Sequence, residues 1–518
     1  MKQFSPDRDL YALAAAAFGA ATTCLFGLLS VLVSPRHQFI FHWHGSTASA
    51  FVPVLLDYLL LSLIIFLVLA GIRHRLWLKR IIWPALFFLL CVGAFENTIY
   101  FVEVQPAHWL KVLLLALCLL LSLSVALCPR PDDFEWLRRA GQYLLQAIFF
   151  AGLLLFIEVL WYGFKARNLE IEPPNTEASV AIADTGAHHH RVYWIILDEL
   201  AFRQVFMEHP QGEDLPAFEA LRAQSTLFTN TKPAGLFTDF AIPSLVTGRN
   251  VLDTHTAADG QSFQIETANE QWIPFDRRDT IFGDAQSLGY HTAIVGWHFP
   301  YCRVLANTFS YCSWASAPQF TTFLPSESVL ANLIEPVLHP GGKSAQAHLN
   351  NFLQLSLAAD HVLKNRQYDF VLLHMPVPHP FGIYDRKTKT YALGRSSYVD
   401  NLVLADIYLA HIRQVLEEQD GWDDATVLLM GDHSWRTQIW SKLQPWSADD
   451  SQANHAGFDP RPVYLLKLPH QRGSVEVSTA YEAVHTRSLL NALLRGELQT
   501  SSDVQKWIAT SRPLPTSR

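Results

Sequence analysis

Residues 193–200 read YWIILDEL, five large apolar side chains closed by two acids and a leucine. A short continuous apolar run, lacking the alternation of a half-exposed strand, is the pattern of a strand buried on both faces. Four more runs of this kind follow: YHTAIVGW at 290–297, YDFVLLHM at 368–375, ATVLLMGD at 425–432 and RPVYLLKL at 461–468. Between the third and fourth, SSYVDNLVLADIYLAHIRQVLEEQ spaces Val399, Leu402, Ile407, Ile412 and Leu416 at roughly helical intervals, with Ser397 available as a cap. Strand, helix, strand is the order of a doubly wound α/β domain with a central, mostly parallel sheet. Such sheets bind ligands outside the carboxyl ends of their strands.

The composition splits near residue 165. From Tyr11 to Phe164 the chain is dominated by Leu, Ala, Phe, Ile and Val, and beyond it charged, Pro and Gly residues return to globular levels. Tyr11 to Val33 carries no charge and is long enough to cross a bilayer; a cleaved signal peptide is a poorer reading, because its apolar core is shorter. Four further spans are expected near 51–72, 81–102, 109–128 and 142–164, giving a five-helix transmembrane bundle. RHRLWLKR (73–80) and PRPDDFEWLRRAG (129–141) interrupt them and hold most of the positive charge, so both should be cytoplasmic. Five spans with the N-terminus inside place everything after Phe164 on the periplasmic side of an inner (plasma) membrane. The expected organisation is a transmembrane domain at 1–165, a linker at 166–190, a periplasmic α/β domain at 191–500 and a tail at 501–518.

The net charge of −8 offers no basic footprint for nucleic acid. Cys24, Cys91, Cys118 and Cys128 fall in the spans and read as small buried residues. Cys302 and Cys312, within YCRVLANTFSYC, are expected to pair in an oxidising compartment. His188, His189 and His190 read as a solvated linker triplet. Asp57, Glu96 and Glu158 fall toward the expected outer ends of their spans, where acids are costly unless they face a polar notch, here one for a lipid head group.

Three of the apolar runs carry metal-binding residues: Asp198 and Glu199, His374, and Asp432 with His433. Any one strand-end Asp is commonly a cap or turn former; parallel strands would bring all of them together. Carboxylates with an imidazole suit Zn²⁺, with Mn²⁺ or Mg²⁺ as alternatives. A nucleophile is available in GLFTDFAIPSLVTGR (235–249), where Thr238 stands at a loop-to-helix turn; an ordinary N-cap is the plainer reading of that threonine.

Together, YWIILDEL, TDFAIPSLVTGR, HMPVPHP (374–380) and LLMGDHSWR (428–436) resemble the sulfatase-like family of the alkaline phosphatase superfamily over about residues 191–470. The layout is similar to its membrane-anchored members, phosphoethanolamine transferases and lipoteichoic acid synthases. The resemblance implies an alkaline-phosphatase-like fold in which Asp198, Asp432 and His433 ligate a divalent cation together with Thr238, the nucleophile, with Glu199 in reserve for Asp198. It makes His379, His374 and His455 substrate-binding or second-metal residues. It also implies a hydrolase or transferase acting on phosphate, less readily sulfate, esters of a membrane lipid or envelope glycan. Sulfatases carry Cys or Ser two residues before the proline and Arg two after it; this chain has Ala241 and Leu245, leaving Ser244 and Thr247 as secondary hydroxyls. PVPHPFG stands where the phosphoethanolamine transferases have GSHGP. The alternative is a non-catalytic envelope protein that uses the same fold to bind a lipid head group or glycan.

Overall fold

The computed structural model describes residues 6–33, 42–43, 47–102, 108–165, 167, 175–177, 189–208, 214–256, 263–316, 344–393, 397–442 and 446–510. They fall into two units. One holds the N-terminal helices, and the other comprises residues 41–44, 170–322 and 339–518.

The first unit contains α1 (Pro6–Val33), α2 (Thr47–Ile72), α3 (Leu76–Val102), α4 (His108–Ala126) and α5 (Pro131–Lys165), all five long and apolar enough to cross a membrane. They fit a membrane anchor. Helix α5 starts earlier than its apolar stretch suggested, because Pro131 at its first position and Asp132 and Asp133 in its first turn are strong helix-start residues. The two basic segments meet: Lys79 Nζ lies 3.2 Å from Glu135, which Arg138 pairs at 2.8 Å, and the Arg138 guanidinium lies over Trp83. Of the four span cysteines expected to be buried, Cys24 is exposed and Cys91, Cys118 and Cys128 are half-buried. Glu158 is exposed and Asp57 half-buried, while the Glu96 side chain lies outside the described residues, so the expected notch has no support in their packing.

The second unit is built on a nine-stranded sheet: β1 (Asn175–Glu177), β2 (Val192–Leu197), β3 (Thr226–Phe228), β4 (Thr292–Trp297), β5 (Tyr311–Ala315), β6 (Phe370–Met375), β7 (Thr426–Met430), β8 (Tyr464–Lys467) and β9 (Val475–Val477). The spatial order is β1-β5-β4-β6-β2-β7-β8-β3-β9. The five central strands, β5-β4-β6-β2-β7, are parallel, whereas β1 and β8 run antiparallel to their neighbours. Every residue of β2, β4, β6 and β7 is buried, as their unbroken apolar runs require.

Trp194, Ile196, Leu372 and Leu428 project to one face, against Ile242, Leu245 and Val246 of α6 (Thr238–Thr247). Helices α7 (Ser344–Lys364) and α8 (Tyr398–Glu417) pack together, and α7 lies against β4, β5 and β6. Ser397 caps α8 in a reciprocal box with Asp400, and the buried stripe includes Leu402, Leu409, Ile412 and Leu416, with Ile407 exposed rather than buried. Two segments expected to lie outside the sheet domain belong to it. Residues 175–177 form the edge strand β1, and Ser501–Thr510 is a helix whose Val504 is in the core. A Thr500/Asp503 capping box starts that helix, a signal masked by its polar composition.

Cys302 and Cys312 form a disulfide closing a loop of sequence separation 10. A loop of this length contributes about 2 to 3 kcal/mol. Thiol labelling of the unreduced, denatured protein should find four reactive cysteines of the six in the chain; six would refute the bridge.

Candidate active site

The sheet register assembles the site. Strands β6 and β7 flank β2, with His374 and Met430 both opposite Ile196, so Asp198, His374 and Asp432 emerge at one carboxyl edge. Their donor atoms lie within 4.8 Å of one another. Asp198, His374, Asp432 and His433 are all fully buried. His374 Nε2 is 3.3 Å from Asp198 Oδ2, and the Tyr301 hydroxyl fixes the ring through Nδ1 at 2.8 Å.

Thr238 comes to the same point from α6. Its helix starts at Phe237, which is extended and makes no side-chain cap, and ends at Gly248, whose left-handed φ of 71° closes the last turn. The plainer reading of Thr238 as an N-cap is therefore replaced by a first-turn position. Its hydroxyl lies 2.9 Å from Asp432 Oδ2, 3.2 Å from Asp198 Oδ2 and 3.4 Å from His433 Nε2. The secondary hydroxyls are engaged elsewhere: Ser244 Oγ donates to Phe240 O and accepts from the Val251 amide, and Thr247 Oγ1 donates to Pro243 O.

Glu199 stands beside Asp198 rather than in its place: with Asp198 and His379 it forms a second group whose donor atoms lie within 4.8 Å of one another. Its backbone is left-handed (φ 61°), and its buried carboxylate accepts from Arg436 Nε at 2.7 Å, from Arg436 Nη2 and the Arg436 amide, and from Trp440 Nε1 at 3.0 Å. His379 Nε2 stands 3.9 Å from Glu199, with its ring among Trp297, His348, Phe381 and Trp440. His455 is on the surface: its ring is 68% exposed and pairs with Glu208 at 3.7 Å. Of the linker triplet, His189 stacks on Tyr290 and His188 lies outside the described residues.

The electrostatics fit a bound cation. Burial, then Asp432 and Glu199, push the Asp198 carboxyl well above the usual range. Burial lowers His374 to about 4 and His433 to about 3, leaving both imidazoles neutral, the form that ligates metals. Asp198 Oδ1 is buried and has no hydrogen-bond partner among the described residues. Asp198, Glu199 and Asp432 crowd three carboxyl groups around Arg436, an excess of acidic groups that a cation would offset. Oxygen and imidazole donors suit Zn²⁺, Mn²⁺ or Mg²⁺.

Arg436, His298 and His42 join the site without having been marked by the sequence pattern. Arg436 stood in view four residues after Asp432, and His298 directly follows β4 at the same carboxyl edge. For His42 there was no local signal.

A parallel sheet with a buried Asp/His cluster and a threonine at its carboxyl edge defines an α/β architecture whose strand ends could hold a divalent metal. The sulfatase family model matches residues 191–456, just over half of the chain, and the chain belongs to this family. Sulfatases are part of the alkaline phosphatase superfamily, whose members are hydrolases or phosphoryl-group transferases that use divalent metals. Among solved structures the chain is similar to Ps i-CgsB, at 15% identity, covering 62% of this chain and 76% of that one with a TM-score of 0.43. It is also similar to the lipoteichoic acid synthase LtaP from Listeria monocytogenes, at 15% identity, 61% and 76% coverage and a TM-score of 0.36. A third is the phosphonate monoester hydrolase of Agrobacterium radiobacter, at 13% identity, 59% and 73% coverage and a TM-score of 0.35. Comparison with curated protein sequences returns no match.

Proposed function

We propose that this protein is a membrane-anchored hydrolase or transferase that cleaves phosphate esters of the cell envelope through Thr238. The observation that carries the reading is the Thr238 hydroxyl, buried and within 3.4 Å of Asp198, Asp432 and His433. A threonine hydroxyl is a weak nucleophile unless its proton is held and its oxygen stabilised. Asp432 Oδ2, 2.9 Å from the hydroxyl oxygen, accepts that hydrogen bond, and the first turn of α6 directs its positive end at the attacking oxygen. Asp198, Asp432 and His374, with His433 beside them, would hold a divalent cation, zinc first, which supplies Lewis-acid stabilisation of alkoxide and phosphoryl charge. Attack by Thr238 on phosphorus forms a phospho-threonine ester and expels the alcohol, and water or an envelope acceptor then removes the group.

Phosphate is favoured over sulfate because formylglycine chemistry requires Cys or Ser where this chain has the buried Ala241. The substrate class is a membrane lipid or envelope glycan, in keeping with the anchor. An inner-membrane location with the catalytic unit in the periplasm is supported by the basic segments at 73–80 and 129–141, which pair with each other as segments on one side of a bilayer would.

Turnover of bis-p-nitrophenyl phosphate by the full-length protein tests the reading. Dialysis against chelator should abolish it and zinc should restore it. Asp432→Ala should bind no metal and stay inactive after zinc is returned, since a ligand and its charge are lost together. Full turnover by protein shown to be metal-free would refute the metal requirement.

A further inference from the structure

His42 and Trp43, which lie between α1 and α2 in sequence, belong to the catalytic unit. Side chain and backbone both tie them there. His42 is 1% exposed, its Nδ1 donates to the His298 carbonyl at 3.0 Å, and its own carbonyl accepts from the Ser316 hydroxyl. The Trp43 carbonyl accepts from Arg303 Nη2 at 3.0 Å. The rings of His42 and His298 meet edge to face, 5.7 Å apart.

The residue that His42 holds is strained and close to the nucleophile. His298 is a non-glycine residue at φ 67°, a conformation costing about 1 to 3 kcal/mol that persists only when its surroundings enforce it. Its amide donates to Ala315 at 2.9 Å, and its carbonyl is the acceptor for His42. So fixed, His298 Nδ1 lies 3.4 Å from Asp239 Oδ1, and His42 Nε2 lies 3.9 Å from the same oxygen. Asp239 follows Thr238 in the first turn of α6.

We propose that His42 is a positioning residue of the Thr238 site. By holding the His298 carbonyl it seats the His298 ring against Asp239, and through Asp239 it sets the first turn of the helix that carries the nucleophile. The catalytic centre is then complete only with His42 in place. This rests on the reading of Thr238 as nucleophile, so its test has one arm that does not depend on turnover.

In the full-length protein, His42→Ala is compared with His42→Asn, whose amide can place a donor where Nδ1 stood. Hydrogen–deuterium exchange of peptides covering 296–300 and 237–241 is read beside metal content and turnover of bis-p-nitrophenyl phosphate. The Ala variant should exchange about tenfold faster at both segments and lose at least about tenfold in kcat, with KM within about threefold and metal content unchanged, the signature of a misplaced reacting group. The Asn variant should recover protection and most of kcat. Exchange at both segments equal to wild type in His42→Ala would overturn the proposal, as would an Asn variant as impaired as the Ala variant. Wild-type turnover in Thr238→Ala would refute the nucleophile assignment instead, and the exchange arm would still decide whether His42 holds His298.

Discussion

Replacing Thr238 by alanine is expected to lower turnover of bis-p-nitrophenyl phosphate at least about 10³-fold while the metal content stays near that of the wild type. The separation follows from the geometry. Asp198, His374 and Asp432 converge without help from Thr238, so the donor set survives its loss, whereas Ser244 and Thr247 are bonded into α6 and offer no substitute hydroxyl. Thr238→Ser keeps an oxygen near the same place and should retain measurable turnover, reduced because a serine rotates more freely at χ1 than a β-branched threonine. Turnover near wild type in the alanine variant would move the chemistry to water or another group and remove the covalent step.

Arg436→Ala should have the largest effect on stability. Glu199 is fully buried, and among the described residues Arg436 is its charged partner within salt-bridge distance, the His379 ring at 3.9 Å being kept neutral by burial. Truncation leaves a buried carboxylate held by Trp440 and the backbone, and breaking a buried pair on one side costs about 3 to 5 kcal/mol. Removing both charges together, as Arg436→Met with Glu199→Gln, should recover much of the loss, because the cost lies in the uncompensated charge. Urea denaturation of the full-length protein, followed by tryptophan fluorescence, tests this. A midpoint unchanged in Arg436→Ala would mean that Glu199 does not need its partner.

The parts of the protein legible in its sequence are those governed by local pattern. Unbroken apolar runs identified the central strands, since a strand covered on both faces admits no polar alternation. Strand ends then located Asp198, His374 and Asp432, because in-register parallel strands deliver their ends to one edge. What stayed hidden depends on contacts between distant residues. Nothing near Glu199 marks it as the partner of Arg436, and the two adjacent acids at 198 and 199 are told apart only by the fold, in which the left-handed residue Glu199 bonds the guanidinium. His455 looked suitable beside β8 but its ring lies on the surface with Glu208, and the edge strand at 175–177 has too few residues and too polar a sequence to announce itself. His42 lies more than 250 residues from the histidine it holds, a separation of 256.

Covalent transfer through Thr238 leaves a chemical trace on the protein. The most direct measurement is peptide mass spectrometry of the full-length protein, quenched in acid within the first turnovers of bis-p-nitrophenyl phosphate. The expected result is a p-nitrophenyl phosphate adduct on the peptide containing Thr238, formed with metal present, absent after chelation and absent from Thr238→Ala. An unmodified Thr238 peptide throughout turnover, with Thr238→Ala still as active as the wild type, would contradict it.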